Sequence, residues 1–279
     1  ADIDEASYNL CPEALAAAIT PATKAVVAID VFGNTAHMPA VEALCEERGL
    51  VMIEDACEAL GTKMAGWPAG NFGTASVFGF YPNKQITTGE GGMIVTDDGA
   101  FADTCRALRN QGRGGMGWLA HDRLGYNYRL PEIAAAMGNV QLERLPELLG
   151  RRREVAGMYL ERLAGRPELI LPSVPDGVEL SWFVFVARLA EAVCHRRDQL
   201  ILDLRAAGVG SANYFPPIHL QPYMVEQFGY RPGDFPVTER VSAGTFALPF
   251  HGRMTQRQVA TVCDVLEGLL DGMRARAAA

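Results

Sequence analysis

Residues 79–92, GFYPNKQITTGEGG, set a lysine between a β-type run and a glycine-rich turn. The β-type run is residues 76–80, and Lys84 follows its last residue by four positions. A lysine just beyond a buried strand loses part of its hydration, and its amine can then attack the carbonyl carbon of a bound ligand. A lone lysine after a strand is most often a solvated surface residue, so its interpretation depends on the rest of the sequence.

A carboxylate ends another apolar run upstream, in residues 51–58 (VMIEDACE). Asp55 is therefore predicted at the carboxyl end of a strand, where α/β sheets bind their ligands. The pyridine nitrogen of pyridoxal phosphate requires such a partner, because a nearby carboxylate keeps that nitrogen protonated. A plainer interpretation is that Asp55 and Glu58 form an Asp-x-x-Glu cap at a helix start, and the two interpretations can coexist.

The composition predicts a globular, soluble protein. The 279 residues are 49% hydrophobic and 21% charged, which suits one large core or two modest ones. A net charge of −8 argues against nucleic acid as a partner. No apolar run reaches the roughly 18 residues of a membrane helix. The six cysteines are scattered without a C-x-x-C pair. We expect a cytoplasmic protein with no metal site and no membrane partner.

Helical and β-type segments alternate, which predicts an α/β sheet with some parallel pairing. Strands are expected at residues 24–31, 50–53, 76–80, 93–96 and 181–189. Helices are expected at 12–19, 38–48, 100–109, 195–207 and 255–270, with a longer one over 131–165 that Pro146 kinks or breaks. The glycine-rich residues 110–117 (NQGRGGMG) are a candidate mobile flap, and residues 271–279 are expected to fray.

Several segments, in this order and spacing, resemble the DegT/DnrJ/StrS family of nucleotide-sugar aminotransferases over nearly the whole chain. They are residues 23–27 (TKAVV), 30–33 (DVFG), 53–61 (IEDACEALG), 79–92, 109–112 (RNQG), 125–130 (GYNYRL), 214–222 (YFPPIHLQP) and 248–250 (LPF). Within the family, residues 55–59 and 86–92 look most like the GDP-perosamine synthase branch.

The resemblance implies a type I pyridoxal phosphate-dependent fold, like that of aspartate aminotransferase. Residues 1–145 would be the large cofactor-binding domain, incomplete at its N-terminus, and residues 146–279 a smaller C-terminal α+β domain. The resemblance also implies a homodimer whose active sites include residues from both subunits.

The resemblance further assigns roles to five residues. Lys84 would bind the cofactor covalently and transfer the proton, and Asp55 would pair with the ring nitrogen. Glu58 would lie near the ring, unless it is only a helix cap. Asn127 would reach the cofactor phosphate of the neighbouring subunit, with a turn residue as the alternative. His219 would lie near the nucleotide-sugar site, or simply pack within its proline-rich loop.

Two departures from the family pattern bear on the cofactor. The family commonly has a phosphate-binding serine five residues before the lysine, where this chain has Gly79. The sequence also starts at a point that matches the middle of the family's large domain. The family's opening segment, which holds the phosphate and stacks an aromatic ring on the cofactor, is not part of it. We expect weaker cofactor binding if the protein lacks this segment.

The expected reaction moves an amino group from an amino acid, with glutamate as the expected donor, to a keto-deoxysugar linked to a nucleotide. One alternative is a sugar dehydratase of the same fold, but those relatives have histidine in place of the lysine, so Lys84 argues against it. Another is a truncated, non-catalytic binding or regulatory remnant. A dinucleotide-binding protein is disfavoured because no G-x-G-x-x-G follows a strand.

Overall fold

The computed structural model describes residues 1–115 and 120–278, with side chains as far as residue 274. In chain order its helices and strands are α1 (Pro12–Ala18), β1 (Ala25–Ile29), α2 (Met38–Arg48), β2 (Val51–Asp55), β3 (Lys63–Met64), β4 (Trp67–Pro68), β5 (Ala75–Gly79), β6 (Gly92–Val95), α3 (Gly99–Arg109), α4 (Glu132–Glu143), α5 (Leu145–Leu163), β7 (Leu169–Ile170), β8 (Val178–Glu179), β9 (Phe185–Leu189), α6 (Arg197–Ala206), α7 (Pro222–Phe228), α8 (Pro236–Gly244), β10 (Thr245–Leu248) and α9 (Gln256–Ala278).

The first half is built on a four-stranded sheet in the order β1-β2-β5-β6. Strands β1, β2 and β5 are parallel, and β6 is antiparallel to β5. The register pairs Ile29 with Asp55 and Asp55 with Val77. The carboxyl ends of the three parallel strands therefore meet at one edge of the sheet, which is where ligand sites form in folds of this class.

The two faces of this sheet differ in what covers them. Alternate residues of β1 and β2, including Val26, Ala28 and Met52, pack with α1 and α2 in a buried cluster. On the opposite face of β1, Val27 is 61% exposed and Ile29 is 41% exposed. A sheet face this apolar is normally covered by another layer of secondary structure.

A second and larger core occupies the C-terminal half. Strands β10, β9 and β7 form an antiparallel sheet against which α5, α6 and α9 pack. The rings of Tyr159, Phe185 and Phe246 are completely buried in it. In the sequence, the residues of the N-terminal core precede the junction between α4 and α5, and those of the C-terminal core follow it. A domain boundary at residues 145/146 remains a prediction.

The predicted break in the long helix is confirmed. Helix α4 ends at Glu143 and α5 starts at Leu145, with Pro146 in its first turn. Proline is tolerated there because the amide it lacks would have no partner within the helix.

The expectation that residues 271–279 fray is wrong for the described part of that segment. Helix α9 continues to Ala278, since Leu270 and Met273 are buried in the C-terminal core. The guanidinium of Arg274 also donates to the Glu168 carboxylate, with Nε 2.8 Å from Oε1. Apolar contacts and an ion pair hold the helix beyond the point where its sequence pattern weakens.

The predicted strand over 181–189 is shorter than expected. It begins at Phe185 because Trp182 has a positive φ of 54°, which is incompatible with extended backbone. The candidate flap at residues 110–117 lies partly outside the described residues, at Met116 and Gly117. Among the described residues, no helix is both long and apolar enough to cross a membrane.

Candidate active site

Lys84 lies in the turn after β5, with its side chain only 16% exposed. Its backbone N–H donates to the Tyr81 carbonyl at 3.0 Å. Its Nζ is 3.6 Å from Glu58 Oε1 and 4.4 Å from the centroid of the Phe183 ring. The amine therefore contacts both a carboxylate and the face of an aromatic ring. The structure excludes the interpretation of Lys84 as a freely solvated surface lysine.

Glu58 contacts this amine because the chain after β2 turns instead of forming a helix. Residues 56–62 form successive turns, with Ala59 N donating to Ala56 O at 2.9 Å. The interpretation of Asp55 and Glu58 as a helix cap is therefore wrong. The Glu58 carboxylate instead accepts a hydrogen bond from Phe32 N, at 2.8 Å from Oε2. Burial raises the pKa of Glu58, while the Phe32 N–H and the positive charge of Lys84 oppose that rise.

Asp55 is the last residue of β2 and lies half-buried at the carboxyl edge of the sheet. Its Oδ1 accepts the backbone N–H of Cys57 at 3.1 Å. Burial and the Asp55 carboxylate raise the pKa of the Cys57 thiol to about 12, although the charge of Lys84 acts in the opposite direction. The Cys57 thiol and the Lys84 side chain both adjoin Gly79, so Lys84 and Asp55, which binds the Cys57 N–H, belong to one cluster.

Gly79, at the end of β5, is packed closely against this cluster. A methyl group added there would lie 3.3 Å from Cys57 Sγ and 3.8 Å from Lys84 Cε. The cluster thus combines a primary amine with a carboxylate at a sheet edge. These groups fit pyridoxal phosphate, whose aldehyde requires an amine and whose pyridine nitrogen requires a carboxylate.

Arg152 of α5, which the sequence interpretation did not single out, fixes the backbone around Lys84. Its guanidinium is buried and donates to three carbonyl oxygens: that of Lys84 at 3.3 Å, of Trp182 at 3.2 Å and of Phe183 at 3.1 Å. The sequence contains a signal for the burial of Arg152, because this residue lies at helical spacing from Val155, Tyr159 and Leu163 on the buried face of α5. A charged residue in such a stripe must find buried acceptors.

Gln85 and Ser181 extend this support, and sequence reasoning missed both. The Gln85 amide donates to Glu58 O at 2.6 Å and to Ser181 Oγ at 2.9 Å. Ser181 is joined in turn to Thr62, whose hydroxyl donates to the Gly33 carbonyl at 2.8 Å. The lysine turn, the Glu58 turn and the segment before β9 are therefore held together by buried hydrogen bonds.

The structure does not bring Asn127 to the Lys84 cluster. It pairs with Asn110 in an isolated antiparallel bridge and lines a separate polar cleft together with several arginines. Its side chain is exposed. Its predicted role in the site of a neighbouring subunit is not tested within one chain.

His219 is packed in its proline-rich loop. Its ring is buried, lies edge-on to Phe235 with centroids 4.7 Å apart, and has Nε2 3.0 Å from Glu239 Oε1. It also lines a largely apolar groove of about 450 Å³ that extends to Tyr214 and Phe32. The groove reaches the Lys84 cluster through Phe32, whose backbone N–H binds Glu58. A role for His219 towards substrate remains a prediction.

Comparison with known proteins agrees with this geometry. The family model described as "DegT/DnrJ/EryC1/StrS aminotransferase family" matches residues 1–267. The spore coat polysaccharide biosynthesis protein SpsC of Bacillus subtilis is 34% identical over 284 residues, which cover 98% of this chain and 73% of SpsC. A GDP-perosamine synthase of Caulobacter vibrioides is 34% identical over 275 residues, covering 96% of this chain and 72% of the synthase.

A solved structure of a related protein has the same fold as this chain. The crystal structure of DesI, determined in the presence of its TDP-sugar product, superposes with a TM-score of 0.89 at 33% sequence identity. The superposition covers 100% of this chain and 70% of the DesI chain.

Proposed function

The chain belongs to the DegT/DnrJ/EryC1/StrS aminotransferase family, and from this premise we propose that it moves an amino group from an amino acid to the keto group of a nucleotide-linked sugar. Its fold is the type I fold and its cofactor is pyridoxal phosphate. The names of two similar proteins support the class of substrate, since one is a GDP-perosamine synthase and the other, DesI, forms a TDP-sugar.

The observation that carries the proposal is the position of the Lys84 amine, 3.6 Å from Glu58 and beside the sheet edge that ends in Asp55. When bound, pyridoxal phosphate supplies an aldehyde and a ring that delocalises the electrons of a broken C–H bond. Lys84 Nζ would take the proton from that carbon and return it, as a general base and then a general acid.

Asp55 and Glu58 would set the electrostatics of the site. The Asp55 carboxylate would hold the proton on the pyridine nitrogen, which keeps the ring able to accept electrons. Glu58 Oε1 would hold and orient the Lys84 amine, while Phe32 N–H and the Gln85 amide fix Glu58 itself. The Phe183 ring would exclude water from the other side of the amine.

Glutamate as amino donor and a location in the cytoplasm stay predictions from the sequence. A role in polysaccharide biosynthesis is supported by the name of SpsC. The test is an amino-transfer assay with glutamate and a panel of nucleotide-linked keto sugars, read out as 2-oxoglutarate formed. We expect release of 2-oxoglutarate that depends on the sugar, and a chain that binds pyridoxal phosphate but aminates no sugar would refute the proposal.

We expect Glu58→Gln to change the pH dependence of the reaction. Because the pKa of Glu58 is raised above its ordinary value of 4.5, its charge and its hold on Lys84 are lost as the pH falls through that raised pKa. In the wild type, kcat/KM should therefore decline on the acid side at a pH above 4.5. A glutamine side chain cannot titrate, so in the variant this decline should vanish while kcat at neutral pH drops.

The matched control is Glu154→Gln, at an exposed position of α5. Its pH profile should coincide with that of the wild type. An acid limb that persists unchanged in Glu58→Gln would show that another group causes it. The melting temperature provides a separate check on folding. A buried carboxylate with a raised pKa contributes stability below its unfolded pKa, and this contribution is lost as the pH rises through its folded pKa. Glu58→Gln should therefore not lower the melting temperature at neutral pH.

A homodimer is proposed on the basis of α4. This helix is apolar, yet none of its residues is buried: Ile133 is 88% exposed, and Met137, Val140 and Leu142 are also exposed. It lies directly against the Lys84 turn, where the Gln141 amide binds both backbone groups of Thr87, at 3.2 Å and 2.6 Å. A large exposed apolar patch of this kind marks an interaction surface, and a second copy docked there would adjoin the site.

Ile133→Glu should therefore weaken dimerisation. A buried, unpaired carboxylate costs several kcal/mol in an interface, so we expect the dissociation constant to rise by at least about 100-fold. Analytical ultracentrifugation measures this shift. Leu202→Glu, at an exposed apolar position on α6, is the control and should leave the distribution unchanged. A dimer that survives Ile133→Glu would place the interface elsewhere.

A further inference from the structure

Two carboxyl side chains, those of Asp30 and Glu54, are completely buried beneath the four-stranded sheet and take no part in the proposed reaction. Asp30 follows the last residue of β1, and Glu54 lies in β2 next to Asp55. Successive side chains of a strand point to opposite faces, so Glu54 points away from the face that bears Asp55. A buried carboxylate needs groups that satisfy its oxygens or neutralise its charge.

Glu54 has such groups, and all of them are hydrogen-bond donors. Its Oε2 accepts the Ser76 hydroxyl at 2.6 Å and the Phe72 N–H at 3.1 Å. The Gly70 N–H donates to both oxygens, at 2.9 Å to Oε1 and 3.0 Å to Oε2. Donors directed at a carboxyl group stabilise its charged form. Glu54 is therefore the ionised member of the pair.

Asp30 lacks such donors in the part of the chain that the structure describes. Neither of its carboxyl oxygens accepts a hydrogen bond there, and no described lysine, arginine or histidine forms an ion pair with it. Its carboxyl group instead contacts that of Glu54, and the Asp55 carboxylate adds further negative charge. Burial and these two carboxylates raise the pKa of Asp30 well above its ordinary value of 3.8. Two buried carboxyl groups in contact cannot both be charged, so one of them must hold a proton.

We propose that Asp30 and Glu54 share one proton, which Asp30 holds and donates to the charged Glu54, and that the pair positions the end of β2 that bears Asp55. The shared proton follows from the burial and the contacts of the two side chains. Only its consequence for catalysis rests on the proposed function. With the proton in place, the pair carries one negative charge, and the Asp30 carboxyl group gains the hydrogen-bond partner that it otherwise lacks.

The pair adjoins Asp55 both in the chain and in the sheet. Glu54 precedes Asp55, and the Asp30 N–H donates to the Asp55 carbonyl at 3.0 Å. Glu54 also joins β2 to β5 and to the segment before it, through the donors described above. A second charge, on Asp30, would repel Glu54 in a medium that screens charges weakly, and would push the ends of β1 and β2 apart. The neutral acid is therefore a positioning residue for Asp55.

The first test compares the melting temperatures of Asp30→Asn and the wild type. An asparagine amide can donate to Glu54 as the protonated acid does, but it has no proton to lose. The neutral Asp30 of the wild type contributes stability that is fully present below the ordinary pKa of 3.8 and is lost as the pH rises through its raised pKa. Between about pH 4 and about pH 8, the melting temperature of the variant should therefore gain at least about 5 °C on that of the wild type.

The control for this comparison is Asp176→Asn, at an exposed position in the turn before β8. Its difference from the wild type should stay constant over the same pH range. A difference for Asp30→Asn that is equally constant would overturn the proposal, because an ionised Asp30 of ordinary pKa gives no such gain. Infrared difference spectra of the wild type and Asp30→Asn at neutral pH detect the proton itself. The C=O stretching band of a protonated carboxyl group should be present in the wild type and lost in the variant, and its absence from the wild type would also overturn the proposal.

The two amide substitutions show which residue holds the proton. Glu54→Gln replaces one of the accepting oxygens with an NH₂ group, so its melting temperature at neutral pH should fall by at least about 5 °C. Asp30→Asn should not lower it. Glu154→Gln, at an exposed position of α5, is the control and should melt as the wild type does. A larger loss in Asp30→Asn than in Glu54→Gln would place the proton on Glu54 and contradict the assignment.

Single-turnover kinetics with glutamate test the link to Asp55. Below the melting temperature of each variant, Asp30→Asn should react within about twofold of the wild-type rate, whereas Glu54→Gln should slow the reaction at least about tenfold through displacement of Asp55. A folded Glu54→Gln that reacts at the wild-type rate would refute the positioning role. Failure of the proposed function gives a different result, because the melting and infrared measurements need no cofactor. A chain with the shared proton but no amino transfer refutes that function alone, and amino transfer without the shared proton refutes the pair alone.

Discussion

Lys84→Ala is expected to abolish the covalent bond between the chain and pyridoxal phosphate, and with it the absorbance band of the lysine-bound cofactor. Amino transfer should fall by at least about 10²–10⁴-fold, the usual contribution of a positioned general acid or base. The physical reason is that the Lys84 amine is placed beside both Glu58 and the carboxyl edge of the sheet. The variant also removes the amine that would return the proton to the substrate carbon.

The control for this variant is Lys63→Ala. Lys63 lies on β3, is half-exposed, and pairs with Glu179 at 3.8 Å on the surface. Its loss should change neither the absorbance nor the rate. Both variants should melt near the wild-type temperature, because the backbone around Lys84 is fixed by Arg152 through main-chain carbonyls that alanine retains. An unchanged spectrum in Lys84→Ala would disprove the assignment.

Asp55→Asn is the second large effect. Asparagine keeps the oxygen that accepts the Cys57 N–H, so the turn after β2 should be preserved. It lacks the negative charge that would hold the proton on the pyridine nitrogen, and the electron-accepting capacity of the ring should fall. We expect the half-reaction with glutamate to slow by about 10²–10³-fold, as for loss of one preorganised electrostatic contact.

Single-turnover kinetics with glutamate measure this step without contributions from sugar binding. Asp97→Asn, at a position between β6 and α3 that lies away from the Lys84 cluster, is the matched control and should react at the wild-type rate. Asp55→Asn should still form the covalent bond through Lys84, so its spectrum separates a defect in chemistry from a defect in folding. A rate within about twofold of the wild type would show that another group pairs with the ring nitrogen.

The parts of the site that follow strand ends could be predicted from the sequence. Asp55 and the Lys84 turn come directly after apolar runs, and the parallel register of β1, β2 and β5 puts such residues at one edge. The role of Glu58 could not be separated from helix capping, because an Asp-x-x-Glu pattern precedes both helices and tight turns. Only the turn at residues 56–62 distinguishes them.

Residues that reach the site from a distance could not be predicted. Arg152 and Phe183 lie 68 and 99 positions after Lys84 in the sequence, and they meet it only because α5 and the segment before β9 pack together. The continuation of α9 beyond Leu270 could not be predicted for a similar reason, because it depends on contacts with the C-terminal core and with Glu168. The predicted role of Asn127 depends on a second copy of the chain, because the cofactor phosphate that it would reach belongs to the neighbouring subunit.

The central claim is that Lys84 is the residue that bonds pyridoxal phosphate, and borohydride reduction followed by peptide mass mapping tests it most directly. The chain has three lysines, Lys24, Lys63 and Lys84, so the assignment has few alternatives. Reduction of the cofactor-loaded protein should leave a pyridoxyl group on the peptide that contains Lys84, with Lys24 and Lys63 unmodified. A pyridoxyl group on either of the other two lysines, with Lys84 unmodified, would contradict the account.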